Sequence, residues 1–346
     1  MRKYFNLTKR NCLVFLRDRS AVFFSLLSML IVLMLMGIFL ARMNVDSVTD
    51  LLNTYGGVRD AALDKEHATQ LVQYWTLAGI LVVNSLTVTL TVIGTMISDQ
   101  NEHRLESFYA APVKKSVVAL SYISAAVVIG TLFCLLTFFA AVAYIGIGGG
   151  AMLSAGAVLK IIGYTFLNVC VFAIILYLLA LFIKSTSAWS GIATVVGTLV
   201  GFVGGIYLPM GYLPDSVARV LKYLPVLHGA SVMRKVCCGE ILKETFAGLP
   251  EAVMDGYEEY MGITVNMNDK LVSTGTQLLF MIGCGCGTDL YDPCIKEKTS
   301  EPIEKRGRYE SYDLRSFARR GRRDHCKMQS AERRYDAAFG EIQAGK

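Results

Sequence analysis

The sequence predicts an all-α membrane protein with six transmembrane helices and an amphipathic interfacial helix at its N-terminus. Three observations carry that prediction. Charged residues make up 18% and hydrophobic residues 53% of the 346 residues, and mean hydropathy is +0.46; soluble domains carry about 25% charged residues. Five long apolar runs lie within the first 215 residues, and the clearest, Ala21 to Ala41, contains no ionisable side chain between Arg19 and Arg42. A hydrocarbon core about 30 Å thick takes roughly 20 helical residues, and backbone groups in lipid must pair within their own segment. The third observation is the placement of positive charge, which gathers at the flanks of the runs and at the C-terminus.

The elements follow in order. Over residues 3–19, a helical period puts Tyr4, Phe5, Cys12, Phe15 and Leu16 on one side. Lys3, Asn6, Arg10 and Arg17 fall on the other, and Leu13 and Val14 interrupt the pattern. Such a helix lies at a membrane surface with its basic side toward anionic headgroups; the plainer reading is a flank of the first span. Span one covers about 20–41, span two about 75–97, span three about 117–145, span four about 159–183 and span five about 189–208. Trp75 suits the interfacial aromatic belt, and Gly148-Gly149-Gly150 breaks the chain between spans three and four. Residues 209–270 read as a polar insert punctuated by Pro209, Pro214, Pro225 and Pro250, with a short helix between Asp215 and Arg234. Span six, 271–287, is the weakest: Ser273, Thr274, Thr276 and Gln277 interrupt it and three glycines crowd its end. The domains are then 1–19 interfacial helix, 20–287 transmembrane domain and 288–346 basic tail.

With the N-terminus inside the cell, 24 of the 34 Lys and Arg residues fall on the inner side and 10 on the outer. That bias gives a multi-pass protein of the cell membrane with both termini in the cytoplasm. It also argues against nucleic acid as the partner of the net charge of +6, because the excess sits at span flanks and in the tail. The tail carries fourteen basic residues and no apolar stripe; it reads as disordered, and its Arg319-Arg320-Gly321-Arg322-Arg323 run either meets anionic lipid or is simply solvated. The first apolar run is too long for a signal-peptide core and no Ala-x-Ala site follows it. Nine scattered cysteines show neither a disulfide framework nor the paired spacing of a zinc site.

No nucleophile elbow, zinc-protease, Rossmann or phosphate-loop motif is present. The central parts of the spans hold no Asp, Glu, Lys, Arg or His. Carriers driven by protons or sodium usually keep such groups at mid-membrane, so energy for transport is expected from another subunit. The 98–115 loop is where it would enter. Asp99, Glu102, Arg104 and Glu106 surround Leu105, Phe108 and Tyr109; as a helix this presents a mixed charged and aromatic face to a protein groove, and otherwise it is a solvated connection. In span five, Gly197, Gly201 and Gly205 recur every four residues, a spacing that lets another helix approach closely, although glycine is common in spans in any case.

The order of an N-terminal helix, a span, an outer loop, a second span and then SDQNEHRLESFYAAPVKKSVVALSYI (98–123) resembles the permease subunits of ABC-type exporters. A second stretch, GIYLPMGYLPDSVARVLKYLPVLHGASVMRKV (205–236), is similar to that family's exit from span five, with Leu208-Pro209, Leu213-Pro214 and Leu224-Pro225 steps. The resemblance covers roughly residues 1–285; the tail departs from it. It implies that Glu102, Arg104, Leu105, Glu106 and Phe108 form a coupling helix that docks on a separate ABC ATPase. It also implies a second permease subunit, and ATP and Mg bound by the ATPase with no cofactor, metal or catalytic residue in this chain. The rival classes are a secondary transporter or channel working alone, and a membrane assembly or regulatory protein without transport.

Overall fold

A computed structural model of the chain describes residues 2–35, 41–57, 59–110, 113–205, 209–267 and 270–286. The expected basic, disordered tail lies outside the described residues. The described chain is helical throughout except for one two-stranded hairpin, β1 (Asn266–Met267) against β2 (Lys270–Leu271).

Helix α4 (Ala61–Asn101) is the axis of the fold. Asp60 starts it, its carboxylate accepting from the Ala62 N–H at 2.9 Å. Its 41 residues extend about 60 Å at 1.5 Å per residue, twice the hydrocarbon thickness, so span two is only its middle. Packed around it are α6 (Lys115–Ile147), α7 (Ala155–Leu181), α8 (Thr186–Val203) and α10 (Pro225–Thr245). Helices α4, α6, α7 and α8 are each long and apolar enough to cross a membrane. The polar residues of α4 are reconciled with lipid locally. Ser85, Thr87, Thr89, Thr91, Thr95 and Ser98 each donate their hydroxyl to a carbonyl three or four residues back, which removes an unpaired donor from an apolar surrounding. Asn84 reaches across to Thr137 of α6 at 3.0 Å.

Close helix approach occurs where the sequence did not place it. A Cβ on Gly130 of α6 would lie 2.8 Å from Val169 and 3.0 Å from Thr89, and one on Gly94 of α4 would lie 2.6 Å from the Trp189 indole. By contrast, Gly197 of α8 faces open space within the chain. Gly201 is buried, but Gly205 is not on the helix at all. Helix α8 ends at Val203, Gly204 caps it, and Gly205 turns the chain with φ +62°. The three-glycine face predicted for span five is therefore broken at its last member, and α8 has the least buried surface of the four long helices.

Among the described residues, the stretches expected as spans one and six form no helix long and apolar enough to cross a membrane. Span one corresponds to α2 (Arg19–Leu35) and the start of α3 (Ala41–Tyr55), with residues 36–40 outside the described residues. Span six shrinks: Leu271 is in the hairpin, and α12 (Thr274–Cys286) has 13 described residues, about 20 Å of helix. The insert at 209–270 is more structured than its composition suggests. After a 3-10 turn at Met210–Tyr212 come α9 (Asp215–Leu221), α10 and α11 (Glu251–Tyr260). Pro225 begins α10 at its first turn, where a missing N–H does no harm, and α10 packs along α4 with Val226, Leu227, Met233 and Cys237 buried.

Candidate functional site

Two clusters of charge sit at opposite ends of α4. The first collects around Asp99, one turn from the helix C-terminus. Its side chain is only 2% exposed. Arg10 of α1 (Arg2–Arg17) grips both of its oxygens, one through Nη1 and the other through Nη2 at 2.9 Å. The Tyr122 hydroxyl of α6 donates to Oδ2 at 2.6 Å, and Arg104 Nη1 lies 3.5 Å from Oδ1. The hydrogen bonds to Asp99 raise the pKa of the Arg10 guanidinium, against the lowering effect of burial. Arg10 also donates to Asn11 Oδ1 at 3.0 Å, Asn11 donates to Ser121 at 3.2 Å, and Tyr4 pairs with Ser124 at 2.6 Å. Phe15 packs edge-on against Phe133.

These contacts divide the predicted interfacial helix differently from its sequence pattern. Phe15 is buried, and Tyr4 and Cys12 are half-buried against the bundle. Phe5 and Leu16 point outward together with Leu13, the residue that had seemed to interrupt the pattern. Arg10, assigned to the polar side, turns inward because Asp99 supplies a buried carboxylate there.

Helix α4 passes into α5 (Arg104–Ala110) through a tight reversal. Glu102 caps α4, its N–H bonding to Ser98 O at 3.0 Å, and His103 takes φ +57°. That left-handed conformation is uncommon for residues other than glycine; His103 Nδ1 meets Glu106 Oε1 at 2.9 Å across the turn. Of the five residues predicted to contact a partner, the fold splits two from the rest. Leu105 is 8% exposed and pins α5 to the bundle. Phe108 is half-buried, with the Arg10 guanidinium 5.2 Å above its ring, a favourable cation–π placement. Glu102, Arg104 and Glu106 are exposed, and Arg104 pairs with Glu102.

The second cluster, at the far end of the bundle, centres on Arg234 of α10, which is fully buried. Among the described residues no carboxylate pairs with it. Nη2 donates to Gly204 O and Gly205 O at 2.8 Å each, and Nη1 to Gly262 O at 3.2 Å. The guanidinium stacks 4.6 Å over Trp75, whose indole N–H donates to Met261 O at 2.9 Å. Burial lowers the Arg234 pKa to about 10, which still leaves it charged at neutral pH. Arg59 does the same for the C-terminal end of α10: it pairs with Asp64 and donates to Thr245 O and Ala247 O at 3.1 and 2.7 Å. Helix C-termini present unpaired carbonyls and a partial negative charge, so arginine completes both α8 and α10. Nearby, a groove of about 580 Å³ runs between the start of α4 and the end of α6, lined by Lys65, Glu66, Gln70, Gln73 and Tyr144.

Sequence reasoning missed Arg10, Asp99 with Tyr122, and Arg234 as structural centres. The Arg10–Asp99 pair spans 89 positions, and no local pattern announces it. Among the described residues no group of three or more His, Cys, Asp and Glu side chains is placed to hold a metal.

Residues 2–237, more than half of the chain, match the ABC-2 type transporter family. No individually curated protein and no solved structure matches the chain. The family match and the long apolar helices of the bundle agree, and the chain belongs to the ABC-2 type transporter family as a multi-pass membrane permease.

Proposed function

We propose that this permease is the membrane subunit of an ATP-driven exporter in the plasma membrane and takes its energy from a separate ABC ATPase docked on α5. The observation that carries this reading is the division of α5. Its inner side is fixed by Leu105 and Phe108, while Glu102, Arg104 and Glu106 stand exposed at the tip of a tight turn. A short helix held rigidly with charges outward suits a protein groove. ATP and Mg belong to that partner, and the chain itself performs no catalysis. The N-terminus, α1 and α5 lie on the cytoplasmic side, in keeping with the bias of Lys and Arg. A second permease subunit completes the pathway, and the sparsely buried α8 is the surface it would use.

A carrier working alone is less well supported. Arg234 is the buried cation nearest to a coupling charge, but it lies in α10 and both its Nη groups are taken by backbone carbonyls. The test is affinity purification of the tagged full chain from its native membrane. Retrieval of an ABC ATPase by the wild type, lost on Glu102→Lys with Glu106→Lys, supports docking at α5; equal retrieval by both overturns it.

A further inference from the structure

We propose that Thr165, Asn168 and His228 form a buried hydration site between α7 and α10, where ordered water joins the two helices inside the bundle. The site does not depend on where an ATPase docks.

The interior here is unusually polar. Thr165 and Asn168 lie one turn apart on α7 and are 1% and 2% exposed. His228, Ser231 and Arg234 recur every three residues along α10 and are equally buried. Gln277 of α12 is buried as well, and its amide donates to the Ser231 hydroxyl at 3.2 Å. Ser231 in turn donates to Ile263 O at 2.7 Å. That part of the seam is satisfied by the chain itself. The remainder is not: Asn168 Oδ1, Thr165 Oγ1 and His228 Nδ1 are buried and have no hydrogen-bond partner among the described residues. Each such atom costs about 1–3 kcal/mol when it stays dry, and lipid supplies no donor. The two helices are in close contact at this point. A Cβ on Gly229 would stand 2.2 Å from Asn168 Oδ1 and 3.4 Å from Met281 Cε, so Asn168 enters α10 at a residue that has no side chain. Asn168 also lies well inside span four (159–183), about 14 Å of helix from its outer end at 1.5 Å per residue.

The three atoms select their ligand. A carboxamide oxygen is an acceptor. His228 Nε2 faces Lys222 O at 2.8 Å, so Nε2 carries the hydrogen and Nδ1 of the neutral ring accepts. The Thr165 hydroxyl does either. The ligand must therefore bring donors, which an anion lacks. A cation is disfavoured as well. Helix α10 begins here, with Pro225 in its first turn, and a helix N-terminus carries partial positive charge; the Arg234 guanidinium follows on the same helix. Water is neutral, donates twice and bridges buried polar groups of this kind.

The experiment is radiolytic labelling of the full chain in nanodiscs. Millisecond X-ray exposure makes hydroxyl radicals from water where it sits, and mass spectrometry reads which buried side chains are oxidised. Met281, 1% exposed, flanks the site; Met96 of α4, 5% exposed, is the dry reference. Met281 is expected to oxidise at least about threefold faster than Met96, although it is the more buried of the two, and Asn168→Leu is expected to bring it down to the Met96 rate. A second measurement reads the sign of a near-isosteric change. A hydroxyl that is buried dry destabilises, so its replacement by a methyl group stabilises; a hydroxyl bound to water contributes a hydrogen bond that the methyl group loses. Thr165→Val is therefore expected to lower the melting temperature by about 2–3 °C. The proposal is overturned if Met281 is no more reactive than Met96, if its reactivity survives in a folded Asn168→Leu protein, or if Thr165→Val melts at the wild-type temperature or above. The wild-type labelling and the valine variant decide the matter even where Asn168→Leu fails to fold.

Discussion

Arginine anchors both ends of the bundle, but against different acceptors. Arg10 faces a carboxylate and its side chain is 28% exposed; Arg234 faces three carbonyls and is fully buried. The difference sets what each end is able to do. A buried carboxylate accepts from more than one donor, and Arg104 lies 3.5 Å from it. Backbone carbonyls at helix ends move only with their helices, and no second cation stands by in the Arg234 contacts. The α5 end brings two arginines to one carboxylate. The far end is built to hold α8, α10 and the turn at Gly262 in one arrangement.

The largest expected effect breaks the fixed end. Arg234→Met keeps the approximate bulk but leaves the Gly204, Gly205 and Gly262 carbonyls without their donor. Each buried group left unpaired costs about 1–3 kcal/mol, so the full chain in detergent should lose roughly 3 kcal/mol or more and melt markedly earlier. Arg234→Lys, which keeps charge but not the fork, should fall between the two. A Met variant that melts with the wild type would show that Trp75 and the surrounding apolar contacts fix this end unaided.

A second comparison sharpens where rigidity lies along the bundle. Gly130→Leu forces atoms into Val169 and Thr89 and should cost about 1–3 kcal/mol, as overpacking does. A Cβ at Gly197 meets nothing within 4 Å in the chain, and Gly197→Leu should change the melting of the isolated subunit far less. A loss of assembly without a loss of subunit stability in Gly197→Leu would identify α8 as the seam with a second copy. Equal destabilisation by the two substitutions would contradict the packing described here.

Much of the fold was legible because lipid leaves few choices. Long uncharged runs become helices, and the positions of α4, α6, α7 and α8 follow from run length alone. The insert at 209–270 was not legible, since its buried side chains are interleaved with Lys, Arg and Glu and its apolar content is diluted. Arg234 in particular looks like an ordinary surface charge until Gly204, Gly205 and Gly262 are brought around it. Glycine spacing does not tell which glycines meet a helix of the same chain. A four-residue repeat states that a smooth face exists, whereas Gly94 and Gly130, which have no such repeat, are pressed by Trp189 and Val169. At the candidate site, the composition of residues 102–108 left a docking helix and a solvated connection both open, and the family resemblance chose the docking segment. Composition was not enough to tell that Leu105 faces inward, because a helix of 7 residues is too short for periodicity to choose a face.

Ionic strength separates the two ends with a smaller effect. The Debye length falls from about 10 Å at 0.1 M salt to about 3 Å at 1 M, which weakens partly exposed ion pairs most. Amides of α5 should exchange faster as salt rises, by about two- to threefold for a loss of roughly half a kcal/mol. Amides of α10 beside Arg234 should not respond, because their arginine is dehydrated and its acceptors are uncharged. A salt response of equal size at both ends would mean that the far end also relies on exposed charge.

The smallest effect on stability is expected where the effect on function is greatest. Glu102 and Glu106 have side chains 52% and 65% exposed, paired to Arg104 and His103 across a single turn. Exposed pairs of this kind contribute about 0–1 kcal/mol. Reversing both charges should therefore leave the melting temperature of the chain within about one or two degrees, consistent with surface substitutions staying within roughly 0.5 kcal/mol. Their value lies in what they present outward. If α5 docks on an ATPase, like charges now face one another across the groove, and like-charge contact at an interface costs several kcal/mol. The variant should insert and fold normally yet fail to retrieve the ATPase or to stimulate its turnover. A double reversal that unfolds the protein would place these carboxylates in the same structural class as Asp99. One that folds and still couples would remove α5 from the docking surface.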